Sequence, residues 1–231
     1  MTQKPSLEFE ALGTHWLIEC ADSTKKVKRI HETIETVDKT WSRFRDDSVV
    51  ADMARRAGTH ILTRDDKVLL DWYRFLYDKS DGQVTPLIGQ TLVDAGYDAQ
   101  YSLQPQAIIR TPQQWDDVLV LKDNNLTIKK PALLDVGAAG KGHAIDLVAK
   151  QLSGPCCIDA SGDILVRGDP MRIGLQDPRD DTRLVGVATV TNASLCGSAI
   201  NQRSWGDWHH IINPKTMQPV RDIIATWVIA D

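Results

Sequence analysis

Residues 135–146 read DVGAAGKGHAID: Asp135, Lys141 and Asp146 surround a run of small residues that includes Gly137 and Ala139. Glycine and alanine let backbone N–H groups approach an anion, a helix start adds a favourable dipole, and lysine supplies a point charge. The chemistry suited to such a turn is phosphate binding. The residue order matches neither the Gly-x-x-x-x-Gly-Lys-Ser/Thr loop nor the Gly-x-Gly-x-x-Gly of dinucleotide folds. A second candidate is WHHIINPKTMQPV at 208–220, where His209 and His210 precede an Asn-Pro turn. Adjacent residues of a strand point to opposite faces, so one of the two can face a given site as a general acid or base near neutral pH. A structural or surface role is the plainer alternative for the pair. DASGDILVRG at 159–168 reads as a hairpin, DGQVTPLIG at 81–89 as a loop entering a helix, and ALGTHW at 11–16 as a bulge.

The elements that must position these residues follow from periodicity. Residues 7–20 alternate as a strand pair broken at Gly13-Thr14, and a helix opening on a Ser/Thr cap carries Val27, Ile30, Ile34 and Val37. A short helix is expected near 48–57, then an amphipathic one with Val68, Leu69, Trp72 and Leu76 on one face. Residues 118–136 read as strands, and a helix after Gly140 carries Ile145, Val148 and Leu152. The remaining segments read as successive short strands. The fold class is α+β, with helices mainly in the first half and one domain over 1–231.

With 231 residues, 42% hydrophobic and 25% charged, the chain has the composition of a globular protein. A net charge of −4 and a pI near 5.9 argue against a nucleic-acid partner. Cys20, Cys156, Cys157 and Cys196 lack zinc-finger spacing and are expected to be reduced and buried. No apolar run approaches the about 18 residues of a membrane span. The opening MTQKPSLEFEALG has no apolar signal core or lipidation cysteine, so a cytoplasmic location is expected for the chain as written, and export if the native N-terminus is longer.

In order along the chain, Gly13-Thr14, Ser-x-Phe-x-x-x-Ser at 42–48, Asp-Gly-x-x-x-Pro at 81–86, Asp-x-Gly-x-x-x-Lys-Gly-x-x-x-Asp at 135–146, Ser161-Gly162-Asp163 and HIINP at 210–214 resemble the ApbE family of flavin transferases. The resemblance implies a two-lobed α+β fold with FAD in the cleft between lobes, and Mg²⁺-dependent transfer of FMN to a threonine of a partner protein with release of AMP. It implies that Lys141 and the Gly137–Ala139 backbone form the diphosphate and metal turn, with the Ala139 carbonyl a metal ligand. Asp135 would belong to the same cofactor-binding motif, Asp146 would contact ribose, and Gly13 and Thr14 would lie beside the adenosine. His210 would act in catalysis, helping to deprotonate the acceptor threonine, and His209 would be the more tolerant of the pair. Phe44 occupies the position of an aromatic against the isoalloxazine, although simple core packing is equally open. Leu195-Cys196, Ser161 and Met217 stand where the family has Thr-Ser, Gly and Gly. The family's side-chain metal ligands are expected beyond residue 231, Asp231 not being clearly one of them. FAD hydrolysis with water as acceptor, and flavin binding without catalysis, are the alternatives.

Overall fold

The computed structural model describes residues 5–231; residues 1–4, where the N-terminal expectation begins, lie outside them. Strands β1 (Ser6–Ala11) and β2 (Thr14–Cys20) pair with Ala11 opposite Thr14. Their loop is Leu12-Gly13, both with positive φ (52° and 67°). That is the two-residue turn whose twist matches a hairpin, rather than a bulge. On β2, Trp16, Ile18 and Cys20 alternate inward and are fully buried.

Helix α1 (Val27–Trp41) buries Ile30, Ile34 and Val37, as the spacing predicts. Its expected cap is not used: Ser23 is buried in a short 3-10 turn, its hydroxyl donating to the Cys20 carbonyl at 2.9 Å. Helix α2 (Val49–Arg55) is capped by Ser48, and β3 (Gly58–Ile61), absent from the sequence reading, follows. Helix α3 (Arg64–Lys79) opens on a capping box between Thr63 and Asp66. Its buried face is Asp66, Leu69, Leu70 and Tyr73, while Val68 and Trp72 are exposed. The expected face is thus corrected by about one residue. Apolar side chains ring this helix, and periodicity alone does not select between two adjacent stripes.

The chain continues through α4 (Gly89–Asp94), α5 (Trp115–Val118), β4 (Leu119–Lys122) and β5 (Asn125–Ile128). Residues 129–136 are irregular rather than extended into a further strand. Then come α6 (Gly140–Ala149), β6 (Cys156–Asp159), β7 (Asp163–Arg167), β8 (Met171–Asp177), β9 (Asp180–Val190) and β10 (Ala193–Ala199). Short strands β11 (Ser204–Trp205), β12 (Trp208–His209), β13 (Ile212–Asn213) and β14 (Gln218–Pro219) precede β15 (Ala225–Ala230).

Two compact units result. One is built from the residues up to Thr36 with Lys141–Gln202 and Arg221–Asp231. Its antiparallel sheet has the order β1-β2-β6-β7-β10-β15, accompanied by the β8–β9 hairpin. Cys157, Val166, Ile173, Val190, Ala193 and Leu195 form a core there. Arg167 closes α6, its guanidinium donating to the Ala149 and Leu152 carbonyls at 2.9 and 3.1 Å, where a helix C-terminus favours a cation.

The other unit is Val37–Gly140 with Arg203–Val220. It holds the β3-β5-β4 sheet, the hairpins β11–β12 and β13–β14, and a core of Leu92, Ala95, Tyr97, Trp205 and Ile212. None of the four cysteines forms a disulfide, and three are buried; Cys196 is exposed, which corrects the expectation for that residue. Among the described residues no helix is long and apolar enough to cross a membrane.

Candidate active site

In the second unit, the end of α1 is locked to the start of α3. Trp41 Nε1 donates to Asp66 Oδ1 at 2.7 Å, the carboxylate that also serves the capping box. Immediately after this anchor Arg43 turns inward, its side chain only 2% exposed. Its Nε donates to Asp135 Oδ2 at 2.5 Å. The guanidinium carbon lies 4.1 Å from the Phe44 ring centroid and 4.8 Å from that of Tyr97. Its Nη2 is buried with no hydrogen-bond partner.

Phe44 meets Tyr97 edge-on at 5.4 Å, and Tyr101 lies parallel to it at 5.4 Å and 9°. Tyr97 stacks in turn on Trp205 at 5.7 Å, and Trp205 Nε1 donates to the Ala95 carbonyl at 2.9 Å. Gly96, with φ +97°, makes the bend that points this set together; a Cβ there would sit 2.6 Å from the Gln104 nitrogen.

Asp135 also organises the small-residue turn. Its Oδ1 accepts the Gly137 N–H at 2.7 Å, and a Cβ at Gly137 would lie 2.8 Å from that oxygen. Ala139 and Gly140 N–H groups both return to the Val136 carbonyl, at 3.0 and 2.7 Å. Beneath the turn, burial and then the Asp135 charge push the Tyr73 hydroxyl well above the usual phenol range. Glycine at 137 is therefore selected by its close packing onto a carboxylate.

The two histidines divide their work. His209 is 6% exposed, with Nε2 donating to the Val220 carbonyl at 2.7 Å and Nδ1 accepting the Ile211 N–H at 3.2 Å. Both ring nitrogens are consumed in holding β12 to the following chain, so His209 serves the structure here. His210 places Nδ1 at 3.3 Å from the Arg203 carbonyl, which assigns the proton to Nδ1 and leaves Nε2 a lone pair. Burial holds its pKa below the usual histidine value, against the hydrogen bond to the Arg203 carbonyl and with the help of the Arg203 charge. The ring is neutral near pH 7 and competent to take a proton.

The remaining expected residues fall in the first unit. Gly13 and Thr14 are the hairpin turn and the first residue of β2. Lys141, in the first turn of α6, gives its ammonium to Asp163 Oδ2 at 3.1 Å and to the Ala160 and Ser161 carbonyls at 3.1 and 3.3 Å. Those three contacts match its three donors, so Lys141 pins α6 to the β6–β7 turn. Cys196 belongs to the same cluster. The residue as a whole is exposed, but partial burial of the thiol and then the neighbouring Asp163 carboxylate push it up to about 11. Asp146 lies on the exposed side of α6, its carboxyl raised by partial burial against the opposing charges of His143 and Lys150. Among the described residues no three His, Cys, Asp or Glu side chains converge as a metal site.

The fold is a mixed helix-and-strand one, and the second unit carries a cluster of aromatic side chains around the buried Arg43–Asp135 pair. The sequence profile of the ApbE family matches residues 12–231. The fold is also that of solved ApbE proteins. It superposes on the one from Thermotoga maritima with a TM-score of 0.82 at 20% identity, over 99% of this chain and 82% of that one. The flavin transferase ApbE from Vibrio cholerae gives 0.79 at 19% identity, over 97% and 81%. The apo flavinyl transferase ApbE from Pseudomonas stutzeri gives 0.77 at 18% identity, over 97% and 79%. A FAD:protein FMN transferase from Rhodobacter capsulatus is 26% identical over 185 residues, covering 71% of this chain and 35% of that protein. The chain thus spans about a third of that relative's length. The chain belongs to the ApbE family.

Of the expected site residues, Phe44, Asp135, Gly137, Ala139 and His210 lie in one unit and Gly13, Thr14, Lys141 and Asp146 in the other. Phe44, Asp135 and His210 share one neighbourhood, linked through Arg43, Tyr97 and Arg203. Sequence reasoning missed those three linking residues, and the pairing of Asp163, part of the Ser-Gly-Asp motif, with Lys141. Arginines beside polar loops read as solvated, and only the partner across the fold shows otherwise.

Proposed function

We propose that this chain transfers FMN from FAD to a threonine hydroxyl of a partner protein, releasing AMP. The observation that supports it most is His210: a neutral imidazole, anchored through Nδ1, with Nε2 left to accept a proton beside an aromatic and arginine set. In this reading Nε2 takes the proton of the acceptor hydroxyl as its oxygen bonds to the phosphorus of the FMN half. The bond from that phosphorus to the bridging oxygen breaks, and AMP leaves with that oxygen. FAD supplies the activated phosphoryl group; the protein supplies the base and a rigid turn.

Asp135 holds the 135–139 turn in shape, and Lys141 acts through the α6 turn that it pins. Gly13, Thr14 and Asp146 are proposed for the adenosine half, and Phe44 for the ring system. Among the described residues the side chains do not form a cage for Mg²⁺. The Ala139 carbonyl would be one oxygen among waters and phosphates, the usual way this ion is held at a diphosphate.

The test is incubation with FAD, Mg²⁺ and a candidate acceptor, followed by a denaturing gel. Covalent flavin fluorescence on the acceptor supports transfer. AMP release without label indicates water as acceptor, and unchanged bound FAD indicates a flavin carrier.

A further inference from the structure

Arg43 is spent on nothing visible in one of its directions. Its Nε is engaged by Asp135 and its plane lies against Phe44 and Tyr97, yet Nη2 is buried without a partner. A buried donor left unsatisfied costs free energy, so it marks a place where an acceptor arrives. Three features narrow that acceptor. Asp135 already neutralises the guanidinium, so the pair has no net charge to offer a diphosphate. The surroundings are aromatic, with Tyr97, Trp205 and Phe44 in one cluster. The free group is a directional N–H at the edge of a plane, which suits a carbonyl on a flat ring. Of the aromatic residues around it, Tyr101 alone is substantially exposed, at 53%, and it lies flat on Phe44, where a planar ring would replace it.

We propose that Arg43 is a flavin-recognition residue, donating from Nη2 to a carbonyl on the pyrimidine edge of the isoalloxazine. This rests on the FAD reading above and adds a residue that selects the ring rather than the phosphates.

Arg43→Lys tests it, because lysine keeps a cation for Asp135 and removes the second arm. The affinities of wild type and R43K for FAD and for ADP are measured, with melting temperature as a check on folding. Expected is a loss of about tenfold or more for FAD, the scale of one charge-assisted hydrogen bond, with ADP within twofold. FAD retained within twofold overturns the proposal, as does parallel loss of FAD and ADP, which would assign Arg43 to the diphosphate. Should R43K fail to fold, wild type is titrated with 2-thio- and 4-thio-FAD, whose sulfur is a weak acceptor. One of the two is expected to bind at least about fivefold more weakly than FAD, and equal binding of all three overturns the assignment. A wild type that binds FAD but transfers no FMN contradicts the transferase reading and leaves Arg43 standing; one that does not bind FAD overturns both.

Discussion

Replacing His209 by alanine is expected to cost stability rather than pass unnoticed. The side chain is 6% exposed and makes two hydrogen bonds, to the Val220 carbonyl at 2.7 Å and from the Ile211 N–H at 3.2 Å. Ile211 and Val220 also pair with each other through their backbones at 3.1 Å, so the ring completes a closed loop of bonds. Each lost bond is worth about 1 kcal/mol, and both backbone partners are only partly buried, so water restores some of it. Emptying the ring's volume adds roughly 1–2 kcal/mol by analogy with other large-to-small changes. The sum is about 2–4 kcal/mol, a fall in melting temperature of roughly 5–15 °C for a chain of this size. Differential scanning calorimetry measures it directly. A shift below about 1 °C would show that the two ring bonds do not hold the β12–β14 region, and the division of labour between the histidines would fail with it.

His210→Ala should lower FMN transfer by roughly 10²–10⁴-fold while leaving FAD affinity nearly unchanged, as rate and equilibrium measurements on one preparation would show. Because burial and Arg203 lower the His210 pKa from 6.5, the wild-type rate should be flat at neutral pH and fall only at more acid pH, where the ring becomes protonated. Arg203→Gln should move that inflection upward. Asp94, fully buried, accepts from the Arg110 side chain at 2.7 and 2.6 Å and from its N–H at 3.0 Å. Burial alone would raise this carboxyl, but the bonds from Arg110 and Gln90 bring it below 3.8. Its stabilising contribution is therefore complete above that pH and lost as pH falls through the lower folded value; acid unfolding of Asp94→Asn should lack this component. Cys196, pushed up to about 11 by burial and Asp163, should react slowly with iodoacetamide near about pH 8. Asp163→Asn should speed the reaction and Lys141→Met should slow it.

Much of the scaffold is legible in the chain itself. The β1–β2 hairpin follows from alternation about a break expected at Gly13-Thr14 and found one residue earlier, at Leu12-Gly13, and α1 from Ile30, Ile34 and Val37 at helical spacing. The face of α3 is not, because Val68 and Trp72 compete with Leu69 and Tyr73 at the same spacing and only tertiary packing chooses. Two departures from the family's glycines are physically informative: Ser161 and Met217 both adopt the left-handed conformation, with φ of 52° and 55°. That conformation suits glycine, and a side chain in it carries a strain cost of about 1 kcal/mol. A local motif is enough to single out the turn at 135–140, which Asp135 organises through the Gly137 N–H. The site is illegible at Arg43, whose burial depends on a carboxylate 92 positions away. Lys141 shows the intermediate case: the motif locates it, but its engagement by Asp163 and two carbonyls emerges only from the β6–β7 turn folding against α6.

The most direct test of the central reading follows the flavin and the adenylate together. With FAD, Mg²⁺ and an acceptor protein, covalent flavin on the acceptor and free AMP should rise in equal amounts, both depending on His210. Bound FAD that persists intact, with neither product formed at saturating Mg²⁺, would contradict it.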